Sequence, residues 1–150
     1  MDLILWRHAE AEPGEPDLGR RLTSKGLKLA ERMAAWLEPR LPDTTRILVS
    51  PAARSEQTAL ALGRKYKTLD EIAPGASAES VLAAAGWPDS REPVLVVGHQ
   101  PTLGEVAAML LAGGAASWSI KKGAVWWLTN RTRDGDSGVV LKVAIGPDLV

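Results

Sequence analysis

Three short apolar runs constrain this chain more than any other feature. Leu3–Trp6 (LILW), Thr45–Val49 (TRILV) and Val94–Gly98 (VLVVG) each end abruptly on polar or turn-forming residues. Runs this short and this apolar read as strands buried on both faces. They give way to Arg7-His8, to Ser50 through Arg54, and to Gly98-His99-Gln100-Pro101 respectively. Helical patterns lie between the runs, and strands alternating with helices call for a layered α/β architecture with a mostly parallel sheet. In such sheets ligands bind outside the carboxyl ends of the strands, so groups distant in sequence converge there.

The remaining elements fit this plan. The first strand covers Asp2–Trp6, and residues 11–21, with Pro13, Gly14, Pro16 and Gly19, form a loop. Leu22–Pro39 is helical: Thr23 or Ser24 caps it, Leu29, Met33, Trp36 and Leu37 recur at helical spacing as the inner face, and Pro39 helps stop it. Ser50 suits an N-cap and Pro51 a first helical residue for the helix that starts SPAARSEQTALAL. Asp70–Ile72 is a short strand, weakly signalled, and a helix from Ser77 or Ala78 to Ala85 comes after the Pro74-Gly75 turn. HQPTLGEVAAMLLAG enters a helix with Ala107, Leu110 and Leu111 inward, ended by Gly113-Gly114. GAVWWLT and GVVLKVAI then form an antiparallel hairpin about an Asp-Gly turn. Trp126 and Trp127 point to opposite faces, one to the core and one to the surface, and Lys121-Lys122 is a solvated turn.

Composition removes several function classes. At 150 residues, with 45% hydrophobic and 24% charged residues, the chain is sized for one globular domain, residues 1–150. Eighteen basic residues balance eighteen acidic ones, so no single-sign field favours nucleic acid or an anionic membrane. Without cysteine there are no disulfides, thiolate metal sites or Cys nucleophile. No apolar stretch approaches a membrane span and the start lacks a signal-peptide pattern, which leads us to expect a cytoplasmic protein, and with no long amphipathic excess left over we expect a monomer. Neither G-x-x-x-x-G-K-[ST] nor a G-x-G-x-x-G after the first strand occurs, which disfavours a nucleotide-binding module.

The chemistry concentrates at the strand ends. Arg7 and Arg54 offer permanently charged planar forks for a tetrahedral oxyanion, and Arg54 falls in the first turn of a helix, where backbone N–H groups also favour an anion. His8 and His99 are the only histidines. An imidazole beside two guanidiniums stays neutral, with a lone pair that can attack phosphorus. Taken singly, each has a plainer role: Arg7-His8 as a solvated strand end, Arg54 paired with Glu56, His99 bonded to backbone. Their joint placement at strand exits favours a phosphate site.

The same residues resemble a known family. WRHAEA is similar to the R-H-G loop of the histidine phosphatase superfamily, SPAARSEQTA to its S-P-x-x-R-x-x-Q-T motif, VVGHQP to its strand-end histidine motif and RRLTSKG to its L-T-x-x-G helix start. Together these motifs cover about two-thirds of the chain in the family's order. The short length and the RHAEA loop most resemble the SixA-type phosphohistidine phosphatase branch. That resemblance implies a phosphoglycerate mutase-like fold, an α/β/α sandwich of three layers with a mostly parallel sheet and a C-terminal hairpin. It implies His8 as nucleophile, Arg7, Arg54 and His99 around the phosphoryl group, and Arg20 at the rim. Two in-line transfers through a phosphorylated His8 would need no metal and no cofactor. Ala9 stands where many relatives have Gly, and Arg21 where they often have Pro.

The substrate is narrowed by leaving-group chemistry. An ester leaves as an alkoxide that wants a general acid, whereas phosphohistidine leaves as an imidazole that already carries a proton. Larger relatives place an acid between the second and third motifs. Here that interval, residues 55–98, is short, and Glu71, Glu79 and Asp89 are its acidic candidates, none in a context that forces the role. This favours a phosphorylated histidine on a signalling or phosphocarrier protein. The alternatives are a small-molecule phosphomonoesterase of the same superfamily and a catalytically idle phosphate-binding or interaction domain.

Overall fold

The three apolar runs meet in the middle of one sheet. In a computed structural model that describes the backbone of residues 1–150 and every side chain except those of Thr132, Arg133 and Asp136, β1 (Asp2–Arg7) lies beside the strand Val94–Gly98. With β2 (Arg46–Val49) and β3 (Lys67–Thr68) before it, Val94–Gly98 is β4, and β5 (Val125–Arg133) and β6 (Asp136–Ile145) come after it. The described strands run in the order β3-β2-β4-β1-β5-β6. The first four are mutually parallel, and β5 and β6 are antiparallel to their neighbours. All five β4 residues are buried. Leu3, Ile4, Leu5 and Trp6 of β1 are fully inaccessible, and each such side chain contributes roughly 1.5–3 kcal/mol of transfer free energy.

Alternation along these central strands feeds two cores. Leu3, Leu5, Leu48, Val94 and Val96 pack under α3 (Ala78–Ala85) and α4 (Thr102–Ala112). Ile4, Trp6, Ile47, Val49, Leu95 and Val97 face the other way, with Met33 and Leu37 of α1 (Ser24–Leu37) and Ala59 of α2 (Ala53–Leu60). Helices thus cover both faces, giving the expected three-layer sandwich. On α1 the inner face centres on Gly26, Ala30, Met33, Ala34 and Leu37, with Leu29 and Trp36 at its margin. On α4 it is Leu103, Val106 and Ala107, with Leu110 and Leu111 half-buried.

Three local expectations are corrected. Ser50 and Pro51 do not start α2: the helix begins at Ala53 with Ala52 as N-cap, because tertiary contacts claim the Ser50 hydroxyl. Asp70–Ile72 is a 3-10 turn, and the edge strand is Lys67–Thr68, where Leu69 N–H still reaches the Val49 carbonyl before Ile72 dips into the core. Trp126 does not lie in solvent: both faces of β5 are covered, so Trp127 packs on the α1 and α2 side and Trp126, partly buried, on the other. The hairpin turn is as expected, with Asp134 and Gly135 at φ 51° and 84°. Positive φ at both central residues is the tight two-residue geometry that Asp-Gly favours.

Candidate active site

Strand register builds the site. Arg7 pairs with Gly98 across β1 and β4, so the next residues, His8 and His99, leave the sheet side by side. His8 N–H donates to the Gly98 carbonyl and Ser50 N–H to the Val97 carbonyl, which brings the end of β2 to the same place. The imidazole centroids of His8 and His99 are 5.2 Å apart. Arg54 Nη2 lies 3.5 Å from His99 Nδ1. Both histidines and Arg54 are buried, at 7%, 4% and 5% exposure.

The hydrogen bonds fix both tautomers. His8 Nδ1 is 2.7 Å from the Ala9 carbonyl, which can only accept, so Nδ1 carries the proton and Nε2 keeps its lone pair. Arg54 can only donate, so His99 Nδ1 is an acceptor and its Nε2–H is directed at Ser50 Oγ, 2.7 Å away. Ser50 Oγ also accepts from Ala52 N–H. Burial, then the charges of Arg54, Arg7 and Arg20, push His8 down from 6.5 to about 4 against the opposing pull of the Ala9 carbonyl. Burial first, then His8 and Arg54, push His99 to about 3. Both rings are neutral near pH 7.

The arginines are held but not used up. Arg7 Nη1 donates to the Ile120 carbonyl at 2.8 Å, and Arg54 Nη1 and Nη2 donate to the Asp17 carbonyl and carboxylate at 2.8 and 3.2 Å. The Nε of Arg7 and the Nε of Arg54 are buried and meet no protein acceptor among the described residues. Unsatisfied buried donors are costly, on the order of 1–3 kcal/mol each, and two on guanidiniums that both act on His8 call for an anion. Arg20 stands at the rim, its Nε on the Glu12 carbonyl and Nη1 on Asp17 Oδ1 at 3.1 Å.

Asp17 is a site residue that the sequence does not single out. It lies in the loop between the first strand and first helix, inside a 3-10 turn, and ties Arg20 to Arg54. Hydrogen bonds from Arg20 and then Arg54 hold its carboxyl below the usual range. It is therefore a carboxylate and not a proton donor. Glu71, Glu79 and Asp89 are exposed, and Asp89 precedes β4, at the opposite end of the sheet from His99. The Arg54–Glu56 pairing does not form; Glu56 instead accepts from Thr68 Oγ1.

The motif residues without charge lock the loop that carries His8. Thr58 Oγ1 accepts from Ala9 N–H and donates to the Arg54 carbonyl, so one hydroxyl joins the His8 loop to the Arg54 helix. Gln57 Oε1 accepts from Leu22 N–H. Thr23 caps α1 through Gly26 N–H, and its hydroxyl and amide bond Glu10. A Cβ on Gly26 would sit 2.1 Å from the Glu10 carbonyl oxygen, so the helix packs against the loop as closely as only glycine permits. Ala9 is not among the residues with positive φ, so it replaces glycine without strain. Arg21 is exposed, and its carbonyl accepts from Glu12 N–H.

Comparison with known proteins agrees with this geometry. Residues 3–80 match the model of the histidine phosphatase superfamily (branch 1). The chain is 32% identical over 126 residues to the phosphohistidine phosphatase SixA homolog of Haemophilus influenzae, covering 73% of this chain and 77% of that protein. It is 32% identical over 122 residues to phosphohistidine phosphatase SixA of Escherichia coli K12, covering 75% and 76%. A structure of the protein histidine phosphatase SixA complexed with tungstate superimposes with a TM-score of 0.78 at 25% identity, over 99% of both chains. The chain belongs to the histidine phosphatase superfamily and has its α/β fold. It is an enzyme of the SixA-like, phosphatase type.

Proposed function

We propose that residues 1–150 act as a single histidine phosphatase domain that removes the phosphoryl group from phosphohistidine on a partner protein, through a phosphorylated His8 and without a metal ion. The observation that carries the reading is the pair of buried, unpartnered guanidinium N–H groups of Arg7 and Arg54 beside a His8 ring whose Nε2 holds a lone pair. The tungstate complex of a relative is in keeping with a tetrahedral oxyanion in this fold.

His8 Nε2 attacks phosphorus in line, the substrate N–P bond breaks, and the substrate imidazole leaves with its own proton. Water then attacks the phosphoryl group, the bond to Nε2 breaks, and inorganic phosphate leaves with His8 neutral again. Arg7 and Arg54 neutralise the equatorial oxygens and Arg20 guards the rim. The incoming dianion favours a second proton on His99, whose Nδ1 can then donate to a phosphoryl oxygen while Nε2–H remains on Ser50. Among the described residues, no three His, Asp or Glu side chains are grouped to hold a metal, and the arginines supply the positive charge.

The N–P substrate is favoured over an ester by Asp17: the one carboxylate that touches the site's arginines, among the described residues, is held ionised. Among the described residues no helix is long and apolar enough to cross a membrane. The test is phosphate release, with chelator present, from a phosphohistidine peptide and from p-nitrophenyl phosphate. We expect strong preference for the peptide; equal or better turnover of the ester would replace this reading with the phosphomonoesterase, and no turnover of either with the idle binding domain.

A further inference from the structure

A groove of about 540 Å³ opens beside the site, and Arg7 and Ala9 form part of its wall. Its charge is unlike that of the chain, whose acidic and basic residues cancel. Lys25, Arg32, Lys121 and Lys122 line it with Arg7, against two acidic side chains, Glu10 and Asp148. The four outer cations are exposed; among the described residues Lys25, Lys121 and Lys122 have no carboxylate within ion-pair distance, and Arg32 Nη2 donates to the Val150 carbonyl oxygen. Glu10 is already engaged by the Thr23 hydroxyl at 2.8 Å.

The cations are placed by the same backbone that places His8. Lys25, Leu29 and Arg32 recur at i, i+4 and i+7 and so form one stripe of α1 along the groove. On the other wall, Gly123 N–H donates to the carbonyls of both Arg7 and His8, Ala124 N–H closes the turn on the Lys121 carbonyl, and the Ile120 carbonyl takes Arg7 Nη1. The lysine turn is therefore bolted to the residue that would be phosphorylated. A concave surface lined by cations of one sign attracts an acidic surface and speeds its encounter, in a manner that salt weakens. The apolar lining is Ala9, Leu29 and Pro147, with no aromatic ring on which a nucleobase could stack.

Resting on the phosphohistidine reading above, we infer that this groove docks an acidic segment flanking the phosphohistidine of the partner protein. The cationic stripe of α1 and the Lys121-Lys122 turn select partners whose histidine is bordered by Asp and Glu.

The test uses two synthetic peptides of equal length, each with a single phosphorylated histidine, one flanked by Asp and Glu and the other by Asn and Gln. With the wild-type protein at low salt, we expect kcat/KM for the acidic peptide to exceed that for the neutral one by about tenfold, through KM, and the ratio to fall to about two or less in 0.5 M NaCl. In Lys25→Glu/Lys121→Glu/Lys122→Glu the preference should vanish while kcat on the neutral peptide, which also reports folding, stays within about threefold. The control Lys65→Glu/Lys67→Glu/Arg91→Glu, of equal charge change away from the groove, should keep the preference. Equal turnover of the two peptides by the wild type, or a preference that survives the groove reversal or is lost equally in the control, overturns the docking site and leaves the activity standing. Phosphate release from neither peptide overturns the activity, and the docking inference with it.

Discussion

The protonation state of His8 is set by what surrounds each of its nitrogens. The Ala9 carbonyl holds the proton on Nδ1, and burial beside Arg7, Arg54 and Arg20 keeps a second proton away. With only two histidines in the chain, imidazole NMR gives two resolvable titrations. We expect His8 to stay neutral down to about 4 and His99 to about 3, where an ordinary histidine titrates at 6.5. A midpoint near 6.5 for either would mean that the pocket is open to water. The same depression has a thermodynamic sign. The unfolded chain takes up protons near 6.5 and the folded one only lower, so folding stability is fully present above 6.5 and declines as pH falls from there toward 4 and 3. Urea midpoints measured between pH 8 and pH 4 check this, and a flat profile across that window would contradict it. Arg7, His8 and His99 were legible in the sequence because each follows an apolar run directly, and Arg54 because it lies in the first turn of the helix that follows one. Asp17 was not, because a carboxylate in a Pro- and Gly-rich loop has no local pattern that announces an arginine partner.

Elements hold these side chains through contacts that sequence periodicity does not encode. Ser50 is the plainest instance: it has the composition of an N-cap and the position of one, yet its hydroxyl serves His99 and α2 starts three residues later. Local propensity was outweighed by a partner 49 residues away. Likewise Asp70–Ile72 could not be told from a strand by pattern, since only the packing of Ile72 beneath α3 decides it. Gln57 and Thr58 belong to a motif readable at once, but their work, bonding Leu22 and Ala9, becomes visible only with α1 and α2 in place. The closeness of α1 to the His8 loop gives a prediction at this scale. Gly26→Ala places a methyl group 2.1 Å from the Glu10 carbonyl oxygen, against backbone that cannot swing away. We expect a loss of about 1–3 kcal/mol in stability, as in other overpacked sites, with kcat reduced in the folded fraction because the His8 loop is pushed. Wild-type stability and activity in this variant would show that the loop tolerates a wider gap.

Across the whole molecule, a parallel sheet covered on both faces is a device for aiming loops. β1, β2 and β4 are adjacent and parallel, so their carboxyl ends deliver His8, Ser50 and His99 to one edge, while the lysine turn that leads into β5 is held against the end of β1 beside the groove. The central claim built on that arrangement is that His8 accepts the phosphoryl group. The most direct measurement is a rapid-quench reaction with a labelled phosphohistidine peptide, and then peptide mapping of the protein. The account predicts label on His8, stable to alkali and lost in acid as an N-phosphoryl imidazole should be, and no label or turnover in His8→Ala. Label on any other residue, or phosphate release by His8→Ala at the wild-type rate, would contradict it.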